Sequence, residues 1–195
     1  RQGLVEWDQD GARIERFRSA VDLTIYTPGS TAGVPLTVLK SFQAPAREII
    51  DDVDIFRQRV ASASAGLLAL LGLDVDPVRS REFILVSNLL DRAWRDGRDM
   101  DIAGLIREIQ SPPFESIGVM EVDTFFPAKD RMALAMRLNG LLASPSFAEW
   151  LQGDPADVDT LLRAPDGRPR ATIVYMAHLS DTERQFVVTL LLSKM

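Results

Sequence analysis

The segment Gly29-Ser30-Thr31-Ala32-Gly33 follows the β-forming run VDLTIYTP as a small, hydroxyl-bearing loop between two glycines. A strand running into such a loop is the arrangement in which backbone N–H groups cradle a phosphate. That chemistry also needs a lysine to reach the phosphates and a helix starting on the loop. Here Val34-Pro35 follows, and Gly-Lys-Ser/Thr occurs nowhere in the chain. A nucleophile elbow needs its serine midway between the glycines, which Ser30 is not. The loop therefore reads as a structured turn leaving a strand.

Other polar groups have chemical letters but poor spacing. His178, Ser180 and Asp181 carry the side chains of a hydrolase triad, yet they lie within four positions at a strand end. A triad gathers distant residues by geometry, so Asp181 is better used at the positive end of the helix that follows. Asp51, Asp52 and Asp54 form an acidic cluster, but a hard cation needs many oxygen ligands; a solvated helical turn is the simpler reading. Arg79, Arg81, Arg92, Arg95 and Arg98 are interleaved with Glu82, Asp91, Asp96 and Asp99, the pattern of an ion-paired surface. Lys129, Asp130 and Arg131 open another helical run, with Arg137 on it; arginine is suited to reaching a neighbour's phosphates. No catalytic, nucleotide-binding or metal-binding residue emerges. Arg131, Arg137 and His178 are the candidates for a contact with a neighbouring subunit or a phosphate.

Composition narrows the classes further. The 195 residues are 46% hydrophobic and 26% charged, as in an ordinary globular protein able to bury a core. There is no cysteine and one histidine. Disulfides, thiolate catalysis and multi-histidine metal sites are excluded, and a cytoplasmic setting is expected. No apolar run is long enough to span a bilayer. The net charge of −6 arises between residues 46 and 170, and no basic stripe offers a nucleic-acid track.

Periodicity then supplies the elements. A helix is expected over 6–20 and strands over 22–27 and 171–177. A long helix begins at Pro45, with Ile49, Val53, Phe56 and Val60 on one face, and stops at Gly72. Asp76-Pro77 opens a second helix through Trp94, its core face holding Phe83, Val86, Leu90 and Trp94. Asp101 caps a third, with Ile102, Leu105, Ile106 and Ile109 at amphipathic spacing. Residues 111–127 read as an ordered connection, and 128–144 as a fourth helix with a short one after it. One further turn lies between Gly153 and Pro169. The near-continuous apolar run from Ala171 to Ala177 suits a strand covered on both faces, as in a parallel sheet. Ser180 and Glu183 form a capping box for the last helix.

The stretches TIYTPGSTAGVPL, FFPAKDRMALAMRLNGLLASPSFAEW and RATIVYMAHLSDTERQFVVTLLLSKM together resemble bacterial ATP-binding proteins with a HerA-type central domain, of the HerA/FtsK group of ring-forming P-loop motors. The resemblance covers most of the chain and implies a piece lying between the Walker A loop and the Walker B strand. It implies a mainly α chain with a small β component: a helical insertion bracketed by two strands of a RecA-like P-loop ATPase sheet. The corresponding divisions are 1–44 (helix, strand and exit loop), 45–165 (helical insertion) and 166–195 (strand and following helix). The chain begins at Arg1 and stops inside the apolar run VVTLLLSKM, as expected of an excised piece. For the parent, the resemblance implies ATP hydrolysis with Mg2+, movement on DNA and a hexameric ring. The chain itself would hold no cofactor and would serve subunit, partner or substrate contacts. The alternative is a stand-alone helical interaction module whose strands merely pair with each other.

Overall fold

The computed structural model describes residues 10–37 and 42–194, and it is mainly helical with small parallel and antiparallel strand pairs. The opening helix α1 spans Gly11–Ala20, capped by Asp10 accepting from the Arg13 N–H; the 6–9 part of the expected helix lies outside the described residues. It buries none of its side chains. Strand β1 (Asp22–Tyr26) follows, then a two-residue strand β2 (Leu36–Thr37).

The long helix expected from Pro45 is two helices, α2 (Arg47–Asp51) and α3 (Val53–Leu70). Asp52 breaks them. Its backbone is extended, and its carboxylate accepts from the Asp54 and Ile55 N–H groups, making it the N-cap of α3. The break resets the helical phase, so Ile50, Phe56 and Val60 are buried while Val53 faces solvent. Gly72 does end α3, in the left-handed conformation. Asp76-Pro77 does not open the next helix. Asp76 accepts from the Val78 and Arg79 N–H groups in a turn of its own, and α4 (Arg81–Arg95) starts after Ser80. All four core residues read from its spacing are buried. Asp101 caps α5 (Ile102–Gln110) through the Gly104 N–H.

The 111–127 connection contains a hairpin, β3 (Ser116–Ile117) with β4 (Met120–Glu121), turning at Gly118 with φ 60°, and a single helical turn α6 (Val122–Phe125). Helix α7 (Ala128–Ala143), a 3-10 helix (Pro145–Leu151), strand β5 (Asp154–Pro155) and α8 (Val158–Leu162) lead to β6 (Arg170–Val174) and α9 (Asp181–Lys194). The capping box of α9 is formed: Ser180 N–H and Oγ both donate to Glu183 Oε2, and Glu183 N–H donates to Ser180 Oγ.

One apolar core joins α3, α4, α5, α7 and α9. Phe56, Leu67, Leu85, Leu89, Leu105 and Val187 in it are wholly buried, and α9 lies along α3, with Phe186 against Gly66. Trp94 donates its indole N–H to the Phe42 carbonyl, tying the start of the helical block to α4. A smaller core of Tyr26, Leu36, Ala156 and Leu161 lies under the strands.

Strands β1 and β6 are neighbours, parallel and in register from Asp22↔Arg170 to Tyr26↔Val174. Nearly the whole chain lies between them. Strand β6 stops three residues earlier than expected, because residues 176–179 form a turn closed by the Leu179 N–H and the Met176 carbonyl. The expectation that the apolar strand is covered on both faces fails. Tyr26 is buried beneath the pair, but on the other face Leu23 is 62% exposed, Ile25 and Ile173 about half, and Tyr175 53%.

Arg170 holds the register. Its Nε donates to Asp22 at 2.6 Å, and its Nη1 donates to the Tyr26 hydroxyl at 2.7 Å and the Thr160 carbonyl at 2.8 Å. Tyr26 in turn donates to Asp154 at 3.0 Å. The Arg170 hydrogen bond, joined by that from Thr24, holds the Asp22 carboxyl below its usual range. Burial, and then the Asp154 carboxylate, push the Tyr26 phenol up to about 12. The folded state thus keeps Tyr26 protonated where an unfolded chain would lose its proton. That contribution is complete below pH 10 and is lost as pH rises toward 12. Tyr26→Phe should therefore flatten the fall in stability above pH 10, measured by denaturant melts against pH. At neutral pH it should cost about 1–3 kcal/mol, because Asp154 and Arg170 each lose a buried partner.

Candidate functional site

In a parallel sheet, ligands bind beyond the carboxyl ends of the strands. Here those ends are the loop 27–33 after β1 and the turn 175–180 after β6. The two are joined by His178, whose Nε2 lies 2.8 Å from the Pro28 carbonyl oxygen. A carbonyl only accepts, so Nε2 carries a proton and donates to it. The His178 ring stacks on Tyr175 with centroids 6.0 Å apart.

The loop after β1 is built by its own polar groups. Thr27 Oγ1 donates to the Ser30 carbonyl at 2.8 Å and accepts from the Gly33 N–H at 3.0 Å. Ser30 N–H goes to the Thr27 carbonyl, Ala32 N–H to Ser30 Oγ, and Val34 N–H to the Ile25 carbonyl. Gly29 has φ 65° and sits on the Trp150 indole, where a Cβ would come within 2.5 Å of the ring. Gly33 packs so closely that a Cβ would lie 2.8 Å from the Ile25 carbonyl oxygen. Of the loop's N–H groups, those of Ser30, Ala32 and Gly33 are committed to internal bonds, and no lysine stands between Thr27 and Gly33. The loop presents no continuous row of free donors to a nucleotide phosphate. Among the described residues, no group of three or more histidine and acidic side chains could hold a metal ion.

The triad letters do not converge on a reacting atom. Ser180 Oγ donates to Glu183 at 2.7 Å, His178 Nε2 is taken by Pro28, and Asp181 pairs with Arg184 at 3.3 Å. Of the acidic cluster, Asp51 pairs with Arg47 and Asp52 caps α3.

Arg131, Arg137 and His178 occupy three different settings. Arg131 is 5% exposed, and its Nη1 donates to Asp123 and to the Phe126 carbonyl, both at 2.7 Å. Its guanidinium ties α6 to α7, while its buried Nε has no hydrogen-bond partner among the described residues and the side chain lines a polar pocket with Gln110, Glu115 and Asp123. Arg137, six positions on, stands about 120° around α7 from it and lines a groove with Leu73, Arg81, Glu82 and Asp130. His178 lies beyond the strand ends. The ion-paired reading of the arginine surface holds for three of its members. Arg95 pairs with Asp91 and lies over the Phe56 ring, Arg98 pairs with Glu108, and Arg81 pairs with Asp130 and lies over Phe126.

Sequence reasoning missed Arg170 and Trp150. Arg170 stands just before an apolar run, and Trp150 in a short helical turn. Neither position has a periodic signal, because each acts across a separation of more than a hundred residues. Gly29→Ala should destabilise the protein by about 1–3 kcal/mol through left-handed strain and the clash with Trp150. A lowered melting temperature with an altered tryptophan emission spectrum is the expected result.

No family model, curated protein or solved structure matches this chain.

Proposed function

We propose that the chain is part of an ATP-dependent DNA translocase or helicase of the HerA/FtsK type. It supplies two adjoining strands of the motor's sheet and a helical block for subunit, partner or substrate contacts. On this reading ATP and Mg2+ belong to residues outside the chain, and the assembled motor is a hexameric ring on DNA.

The observation that supports it is the β1–β6 pair. Parallel strands are ordinarily buried on both faces within larger sheets. This pair is parallel, encloses the helical block and leaves Leu23, Ile25, Ile173 and Tyr175 uncovered on one face. Among the described residues, no strand adds to the outer edge of β6. A sheet with an open edge and an uncovered apolar face is suited to further strands and helices from the rest of a motor domain.

The packing of α9 against α3 favours the second reading, a stand-alone interaction module, because the last helix shares its core with the block rather than covering the open sheet face.

One measurement separates these readings, and a second tests what both require, that this chain has no ATPase activity of its own. The reading frame should encode G-x-x-x-x-G-K-[ST] upstream of this segment and an apolar strand ending in Asp or Glu soon after it; a frame encoding neither overturns the motor reading. The 195-residue chain alone should give no Mg2+-dependent ATP turnover, and turnover that survives repurification would sink it equally.

A further inference from the structure

Arg131 is a buried cation whose bonding is incomplete. An arginine carries five N–H donors in a rigid fork. Nη1 is engaged twice, by Asp123 and by the Phe126 carbonyl, both at 2.7 Å. The side-on edge of the fork, Nε with Nη2, is not. Nε has no partner among the described residues, and Nη2 has only a 3.5 Å contact with the Gln110 carbonyl. A buried donor on a charged group is costly to leave unmet. This edge presents two parallel N–H groups, the pattern that grips both oxygens of one carboxylate.

Arg131 forms part of the wall of a groove of about 550 Å3, which opens between the C-terminal end of α5 and the β3–β4 hairpin. That volume is in the range of small-molecule sites. Three carboxylates also line it: Glu115, Glu121 and Asp123. Asp123 uses Oδ1 on Arg131, while Glu115 and Glu121 make no ion pair among the described residues.

The lining therefore makes two demands at once. Arg131 lacks an acceptor, and the glutamates lack a positive charge. A phosphate meets the first demand but is repelled by three carboxylates at close range. An amine meets the second and leaves Arg131 as it is. A zwitterion meets both, and Pro112 and Phe114 offer an apolar wall for the rest of such a molecule.

We propose that this groove binds a free α-amino acid, with its carboxylate on the Nε–Nη2 edge of Arg131, its ammonium toward Glu115 and Glu121, and its side chain along Pro112 and Phe114. Nε lies beneath the surface. The carboxylate therefore meets Nη2 first and reaches Nε as the long Gln110 contact gives way. The inference is independent of both functional readings above, neither of which assigns a ligand to this groove.

Thermal melts of the whole chain with each common L-amino acid in turn should find at least one that raises the melting temperature, since a ligand held only by the folded state stabilises it. Titration calorimetry with that amino acid, its amide and the matching deaminated acid then reads both ends of the ligand. Loss of either the carboxylate or the ammonium should raise the dissociation constant at least about tenfold, the effect of stranding a charged hydrogen-bond partner. Arg131→Lys keeps the charge without the fork, and should erase the preference for the amino acid over its amide. Glu121→Gln, at an exposed position, should keep the melting temperature and erase much of the preference over the deaminated acid; it carries the test if Arg131→Lys melts early. Arg137→Gln, in the other groove, should leave the affinity unchanged. The proposal is overturned if no amino acid stabilises the chain, if the amide or the deaminated acid binds as tightly as the amino acid, or if Glu121→Gln leaves all three affinities as they were.

Discussion

The Arg170 side chain decides how the two ends of this chain meet. Its guanidinium binds the first residue of β1 through Asp22, the last through the Tyr26 hydroxyl, and α8 through the Thr160 carbonyl. A one-residue slip between the strands would move each of these partners by about 3.3 Å and reverse which face its side chain occupies. The buried hydroxyl of Tyr26 and the carboxylate of Asp154 complete the arrangement, so no charged group of the cluster is left without a partner. A half-satisfied version would be costly in a low-dielectric interior. The network therefore selects one register and penalises the others.

That register has consequences at a distance. Fixing Tyr26 against Val174 sets the starting points of the two loops at the carboxyl ends, which His178 then joins through Pro28. It also fixes where α9 begins. With Ser180 and Glu183 capping it, α9 runs back along α3 and brings Phe186 against Gly66. The sheet and the helical block are thus coupled by a helix that serves both: Leu190 joins the main core, and Leu191 touches the small core under the strands.

Much of the helical block was legible in the sequence. Where apolar residues recur at helical spacing after an unambiguous cap, as in α5, the element and its buried face follow directly. Errors fell where a local polar side chain competed with the period. Asp52 has a carboxylate able to cap, so it ends one helix and starts another although the apolar spacing continues across it. Asp76 closes a turn before Ser80 for the same reason. The hairpin at Gly118 has strands too short for alternation to register. At the candidate site, the sequence could place His178 and Arg137 but could not reveal that Arg131 is enclosed. Two of the partners that hold Arg131, the Asp123 carboxylate and the Phe126 carbonyl, come from the connection read only as ordered.

The distribution of unmet demand in the molecule separates chemistry from docking. The loop that resembled a phosphate cradle has turned its Ala32 and Gly33 N–H groups inward, and Ser180 and Asp52 are each held by neighbours. What remains exposed at the sheet is apolar, and fully burying a Leu or Ile gains about 1.5–3 kcal/mol. Leu23 is more than half exposed and Ile25 and Ile173 nearly half, so covering them and the ring of Tyr175 offers a few kcal/mol before any ordering cost. At the strand ends several polar groups are already bonded: His178 Nε2 to Pro28, and the Ala32 and Gly33 N–H groups within the loop. The energetic incentive therefore lies in joining more polypeptide to the open side of β1 and β6, a constraint that either functional reading must meet.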